Sequence, residues 1–228
     1  MAYEQALMRS PSSDKELLNW TRGYADFAAR SGNRSYEVAA RLSEALVRRR
    51  CGEPEAAEAL LRTLGFPGEG HWLVLGPFQG ANGFNRRFID ETATTFAPVV
   101  RHDKQTLHWR PAEDDLPDGF VDLWTMFGKS RLGTAYARTE FTVPTAREAT
   151  LRFGYRAGLK VWLNGKQVWL HNGSERASID GWVVPVRLQA GRNVILLKTT
   201  QRIGDWGFYF RITDESGGGF EDMQYLTP

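Results

Sequence analysis

Asn164 and Gly165 stand at the centre of KVWLNGKQVWLHNG, Lys160 to Gly173, and this pair restricts the chain more than any other feature of it. A type I′ turn needs positive φ at both central residues, which Asn and Gly tolerate and most residues do not. The flanking runs alternate, so the segment reads as an antiparallel hairpin. Side chains on a strand change face with a period of two. Val161, Leu163, Val168 and Leu170 are therefore expected toward a core, while Trp162, Trp169 and His171 share the opposite face with Lys160. Outward tryptophans have two explanations. They can form an indole platform for a sugar ring, or another part of the chain can cover them; the helical region and the long loop 79–120 are both available, and cover is the commoner fate of large apolar side chains.

The hairpin lies in a longer β-rich stretch. HWLVLGPF reads as a strand ending at Gly76–Pro77, AYARTEFTVP alternates up to Pro144, and ATLRFGY puts Leu151 and Phe153 on one face. WVVPVRLQ and NVILLKTT flank a second turn shaped by Gly191 and Asn193, and WGFYFRITD alternates Phe208, Phe210 and Ile212 against Tyr209 and Arg211. Short strands at this density predict an antiparallel β-sandwich or jelly roll over about residues 71–216.

Ahead of Gly65–Gly70 the period is helical. Leu17, Trp20, Tyr24, Phe27 and Ala28 follow Asp14, a candidate cap, and Gly32 and Asn33 break the chain. Ser35 is the candidate cap of a second helix carrying Tyr36, Ala39, Leu42, Leu46 and Val47. Pro54 opens a third, with Ala57, Leu60, Leu61 and Leu64, and Gly65 stops it. Residues 1–66 thus describe the end of a helical-hairpin array or a cap on the sandwich, and 217–228 a Gly-rich tail. The predicted class is mainly β, with a short N-terminal α-helical region.

Composition excludes several roles. A net charge of +2 over 228 residues argues against a nucleic-acid or membrane-surface binder. Cys51 is the single cysteine, so an intrachain disulfide and a cysteine metal cluster are both ruled out. No run approaches the length of a membrane span, and the first twenty residues lack the apolar core of a signal peptide. That pattern fits a reducing compartment, and equally an extracytoplasmic bacterial setting if the chain is a fragment of an exported parent.

Catalytic signatures are sparse. His102 and His108 lack zinc-site spacing, GANGFN opens no helix, and the acidic run Glu113–Asp115 reads as a solvated loop. No G-x-S-x-G elbow or phosphate-binding loop occurs. Asp180, Asp205 and Asp214 with Asn172 are oxygen donors of the kind a structural Ca²⁺ takes, but Asp is also a turn residue, and no cofactor is expected. Tyr136, Arg138 and Glu140 share one strand face, as in a polysaccharide lyase or as in a plain cross-strand ion pair.

HWLVLGPFQGANGFNRRF, AYARTEFTVP, LKVWLNGKQVWLH, LQAGRNVILLKTT and GDWGFYFRITD occur in that order. Together they resemble the galactose-binding-domain-like β-sandwiches that serve as accessory modules in large bacterial proteins, and the sugar-binding jelly-roll domain of family 2 glycoside hydrolases. The helices before them resemble a tetratricopeptide-type solenoid. The resemblance implies a non-catalytic carbohydrate-binding module, with polysaccharide or oligosaccharide and other domains of a larger parent protein as partners. It places the ligand at loops on one end of the sandwich or on its concave face. Loop and strand-end candidates are Tyr155, Arg156, His171, Asn172, Glu175, Asp180, Trp182, Arg202, Asp205 and Trp206, besides Trp162 and Trp169; they fall mostly in HNGSERASIDGW and TTQRIGDWG. Trp206 also suits a core plug beside Gly207. The rival expectation is a structural or interaction domain that joins a helical array to a larger enzyme and binds no sugar.

Overall fold

Three helices open the structure, a computed structural model that describes residues 14–226 apart from 81, 113–118, 129–131, 174–175 and 202–203. They are α1 (Asp14–Arg30), α2 (Arg34–Arg50) and α3 (Pro54–Thr63). Asn33, rather than Ser35, caps α2: its side-chain oxygen accepts a hydrogen bond from the Tyr36 amide, which leaves Ser35 inside the first turn. Pro54 starts α3, where its missing N–H costs nothing.

The strands follow as β1 (Leu73–Gln79), β2 (Val99–His102), β3 (Gln105–His108), β4 (Arg110–Pro111) and β5 (Phe120–Asp122), then the single turn α4 (Leu123–Met126). Next come β6 (Gly133–Val143), β7 (Arg147–Tyr155), β8 (Gly158–Leu163), β9 (Lys166–His171), β10 (Trp182–Leu188), β11 (Gly191–Thr200), β12 (Gly207–Thr213) and β13 (Gln224–Tyr225). They build an antiparallel sandwich, as expected. The larger sheet runs β4-β1-β6-β11-β8-β9 with β13 on β6, the smaller runs β10-β7-β12-β5, and β2–β3 form a separate hairpin. Strand β1 does not end at Gly76–Pro77. Its register against β6 shifts between Leu75 and Phe78, so both side chains join one cluster on the outer face.

Between the sheets, Ala135, Ala137, Phe141, Leu159, Val161, Ile195 and Leu197 meet Leu151, Phe153, Phe208, Phe210 and Ile212. Each buried large side chain here contributes roughly 1.5–3 kcal/mol of transfer free energy. The two turns that frame β8 and β11 interlock. Asn164 accepts a hydrogen bond from the Val194 amide at 2.8 Å and donates to Asn193 at 2.9 Å, and Asn193 donates to the Gln189 carbonyl at 2.8 Å.

The β8–β9 hairpin departs from the simple alternation. Trp162 pairs with Gln167, but Val161 pairs with Trp169, so Val168 is an extra residue in a bulge. One inserted residue reverses the facing of everything beyond it. Trp169 and His171 therefore turn inward, half-buried, with Trp169 against the inter-sheet core, and Leu170, expected in that core, is 55% exposed. The two tryptophans lie on opposite faces of the sheet.

Both outer faces are roofed. Over the larger sheet, the loop after β1 and the β2–β3 hairpin lay Phe88, Ile89, Phe96, Val100, Leu107 and Trp109 on Leu75, Phe78, Tyr136, Trp162 and Leu196. Lys198, fully buried on β11, donates to Glu91 at 2.8 Å and to the Arg86 carbonyl at 2.6 Å, and Tyr136 donates to the same Glu91 oxygen at 2.8 Å. Over the smaller sheet, Val38, Leu42, Leu61 and Phe66 of the helical region pack with Ile179 and Tyr209. Arg211 on β12 ties this side together: it pairs with Asp180 and donates to the carbonyls of Leu64 (2.8 Å) and Gly217 (2.9 Å).

Both the buried lysine and the tail make these contacts testable. Glu91→Gln leaves the Lys198 ammonium buried without a counter-charge and lowers unfolding free energy by about 3–5 kcal/mol in urea titration, while adding Lys198→Met recovers most of it. The tail is pH-sensitive. Burial pushes the Asp214 carboxyl up, but hydrogen bonds from Ser216 and Gly218 outweigh it, and Arg147 draws the Asp222 carboxyl down; both lie below the ordinary 3.8. Groups depressed in the folded state stabilise it above the unfolded value and lose that contribution as pH falls through the folded one. Amide exchange at Gly218 and Gly219 accelerates below about pH 4 relative to the core strands if the tail releases first.

Candidate functional site

The structure separates the residues that sequence grouped together. Trp162 is not an exposed platform: it is 3% exposed beneath the loop-and-hairpin roof. Trp169, His171 and Trp182 do gather, at the lateral edge where β9 faces β10. The Trp169 and Trp182 rings are 4.6 Å apart, His171 lies 5.4 Å from Trp182, and His171 Nδ1 shares a 2.5 Å hydrogen bond with Tyr155 Oη. All three rings are partly buried, and a methyl group on Gly173 would come within 2.2 Å of His171, so the chain folds over that imidazole.

Trp206 is the core plug: fully buried, it donates through Nε1 to Thr199 at 3.1 Å and packs on Phe127. Asp205 is exposed and pairs with Arg156 at 3.4 Å. Arg202, Glu175 and the run Glu113–Asp115 lie outside the described residues. The carboxylates named as oxygen donors sit in separate settings, Asp180 on Arg211, Asp205 on Arg156 and Asp214 within the tail turn. Tyr136 is buried on Glu91, and Arg138 stacks under Phe96 and Trp109 while pairing with Glu140, so the face considered for lyase chemistry is roofed.

The two loops that sequence could not connect do meet. Asn172 from the first and Thr200 and Gln201 from the second line one cleft of about 310 Å³ at an end of the sandwich. Its other walls are Gly80, Asn82, Gly83, Phe84 and Asn85 after β1, and Leu132, Gly133 and Thr134 entering β6. No described lining residue carries a charge. Asn82 holds positive φ, and its carbonyl accepts hydrogen bonds from the Asn85 and Arg86 amides, which fixes the loop. Gln201 braces the opposite rim by accepting from the Leu132 amide and donating to the Gly204 carbonyl.

Thr134 is 1% exposed, and its hydroxyl has no hydrogen-bond partner among the described residues. Such a group costs about 1–3 kcal/mol unless something satisfies it. Gly83 lies directly on it, since a methyl there would stand 1.8 Å from Thr134 Oγ1. The floor is firm: a methyl on Gly133 would touch the Trp206 ring at 3.0 Å. Asn82, Asn85 and Thr134 were missed from sequence. GANGFN drew notice only for its glycines, though a loop of small polar residues around one aromatic is a recognisable lining.

A larger hollow, about 620 Å³, lies between α3 and the tail and is lined by Arg62, His71, Phe220 and Tyr225 among others. Its polar atoms without a partner among the described residues, His71 Nδ1 and Tyr225 Oη, are closed off from solvent, as the Thr134 hydroxyl is, and burial pushes the Tyr225 hydroxyl pKa up. The smaller cleft is the better candidate, because the exposed amides of Asn82, Asn85 and Asn172 line its opening.

No protein-family model and no curated protein matches the chain. Solved structures with partial similarity include carbohydrate-binding modules and glycoside hydrolases. A family 35 carbohydrate-binding module from Clostridium thermocellum is 16% identical, over 38% of this chain and 75% of that one, with a TM-score of 0.29. The β-glucosidase from Kluyveromyces marxianus in complex with glucose is 11% identical, over 68% of this chain and 18% of that one, at 0.42. The PA14 domain of the MpAFP antifreeze protein is 12% identical, over 42% of this chain, at 0.33. The matched part spans about half of that PA14 chain and under a fifth of the glucosidase, and likenesses of this size carry nothing about ligand or activity.

The different settings of the tryptophans have measurable consequences. Trp162→Ala, which opens a cavity under the roof, costs about 3–5 kcal/mol in chemical denaturation, and Trp182→Ala at the partly open edge costs less than half of that.

Proposed function

We propose that this chain is a non-catalytic carbohydrate-binding module that holds a neutral oligosaccharide in the end cleft, as an accessory to other domains of a larger protein. The observation that carries the reading is a cleft whose described lining holds no charged side chain and presents the exposed amides of Asn82, Asn85 and Asn172. Neutral sugars present hydroxyls that both donate and accept, and side-chain amides do the same. Leu132, half exposed at the rim, and Phe84 in the wall offer apolar contact for the C–H face of a ring. A lining without charge among its described residues favours a neutral glycan over a uronate or a phosphorylated sugar, each of which would need a paired cation. Roughly 300 Å³ is the lower end of the volume range of small-molecule sites, enough for one or two sugar units at a chain end.

The second reading, a linking domain without a sugar ligand, is favoured by one observation: both outer sheet faces are covered, and Trp162 serves the cover. The two readings separate in a titration calorimetry series against neutral and uronate-containing oligosaccharides. Binding of a neutral glycan that weakens about tenfold in Asn172→Ala and further when Asn85→Ala is added, yet is unchanged in Trp182→Ala, supports the cleft. Loss only in Trp182→Ala moves the site to the aromatic edge. A folded wild type that binds none of the glycans leaves the linking role.

A further inference from the structure

The larger hollow, about 620 Å³, differs in kind from the end cleft and shares no lining residue with it. One wall belongs to α3, another to the tail, and Ile212 of β12 contributes from the sandwich. Small-molecule sites favour junctions of this sort, and the volume lies within their usual range of about 300–1,000 Å³. Ile212, Phe220, Met223 and Tyr225 give the hollow an apolar and aromatic body. The Tyr225 hydroxyl and His71 Nδ1 are closed off from solvent and offer a ligand nothing. What the walls do offer is two exposed side chains of opposite charge, Arg62 on α3 and Glu221 on the tail. Neither forms an ion pair among the described residues, with the other or with a third group. In the helical region Arg22, Arg34, Arg41, Arg48, Arg49 and Arg50 all pair with carboxylates; among the described arginines there, only Arg30 and Arg62 do not. In the tail, Asp222 next to Glu221 is gripped by both terminal nitrogens of Arg147, at 2.6 and 2.7 Å.

We propose that this hollow binds a short free peptide with apolar side chains, its carboxylate on Arg62 and its ammonium on Glu221. Opposite charges on two walls of an apolar hollow suit a ligand with an apolar body and opposite charges at its ends. A guanidinium fork matches a carboxylate in shape as well as charge. An internal stretch of a protein carries neither end charge, and a protein terminus carries one, so both walls are served together only by a peptide with two free ends. A zwitterionic lipid headgroup holds its two charges close together, whereas Arg62 and Glu221 stand too far apart to pair with each other. The tail is tied down near both ends of this wall, where the Gly219 amide donates to the Thr63 carbonyl and the Leu226 amide to the Glu140 carbonyl, each at 2.8 Å. A ligand that bridges α3 and the tail therefore tightens a segment already in place.

The test is titration calorimetry of the full chain with trileucine, N-acetyl-trileucine and trileucine amide, on the wild type, Arg62→Gln and Glu221→Gln. Both positions are exposed, and far-UV circular dichroism checks that each variant stays folded. The wild type is expected to bind trileucine, and each blocked form about fivefold more weakly, the scale of one exposed charge contact. Arg62→Gln loses the preference for trileucine over its amide and keeps the preference over the acetylated form; Glu221→Gln does the reverse. Bound trileucine slows amide exchange at Gly219 and along the tail, and leaves Asn82 and Asn85 at the end cleft unchanged. A wild type that binds no trileucine, binding indifferent to both blocking groups, preferences that survive in the variants, or protection at the end cleft in place of the tail each overturns the proposal.

Discussion

Two cations taken out of water govern how this sandwich is assembled. Lys198 projects from β11, inside the larger sheet, and Arg211 from β12, inside the smaller one; both are essentially fully buried on the outer faces. A charged group in such a place is costly unless its donors are met. Each is met from outside its own strand: Lys198 by Glu91 and the Arg86 carbonyl, Arg211 by Asp180 and the carbonyls of Leu64 and Gly217. The roof over each sheet is therefore fixed in position and register as well as attracted by apolar contact. Apolar packing alone tolerates sliding, whereas a buried ammonium or guanidinium does not. With both faces closed in this way, the ends and lateral edges of the sandwich are what the molecule has left to offer a ligand, and the polar cleft lies at an end.

Much of the architecture was legible because it is written in local patterns. The Asn164–Gly165 turn, the alternation in β6, β7, β11 and β12, and Pro54 at the start of α3 each act within a few residues. The bulge at Val168 was not legible. K-Q-V-W-L-H alternates equally well in either register, and the choice rests on which side chains the inter-sheet core accepts: Trp169 fills space beside Phe153 and Trp182 that Leu170 would have left partly empty. The roof over Trp162 was foreseeable as a possibility, since a long loop was available, but the pairing of Glu91 with a lysine more than a hundred residues away has no local signature. Ser35 and Asn33 are both good capping residues; the shorter reach from Asn33 to the Tyr36 amide decides between them.

The candidate site divides along the same line. Asn172 was named among the loop candidates, and Thr200 lies inside a loop that was singled out, because loop residues with hydrogen-bonding side chains stand out in sequence. Thr134 did not, since inside a regular strand a threonine reads as ordinary β structure. It lines the cleft beneath Gly83, with no partner for its hydroxyl among the described residues, and both are products of tertiary packing. Trp206 suits both a binding residue beside a polar loop and a core plug beside Gly207, and the structure has the plug: it lies beneath Gly133, where it stiffens the floor of the cleft without reaching the opening.

A cleft whose described lining is uncharged has an energetic consequence for a sugar ligand. Hydrogen bonds between amides and sugar hydroxyls replace hydrogen bonds to water, so each yields a net of only about 0.5–1.5 kcal/mol. With no charged side chain among the described lining residues, one such cleft would support weak binding. Weak sites become useful when they are joined, because a second binding event at a linked site draws on a high effective concentration. Other binding domains of a larger protein would supply that linkage, and in the proposed role the amides at the loop end would give selectivity for a hydroxyl-rich ligand, where large apolar contact would be indiscriminate.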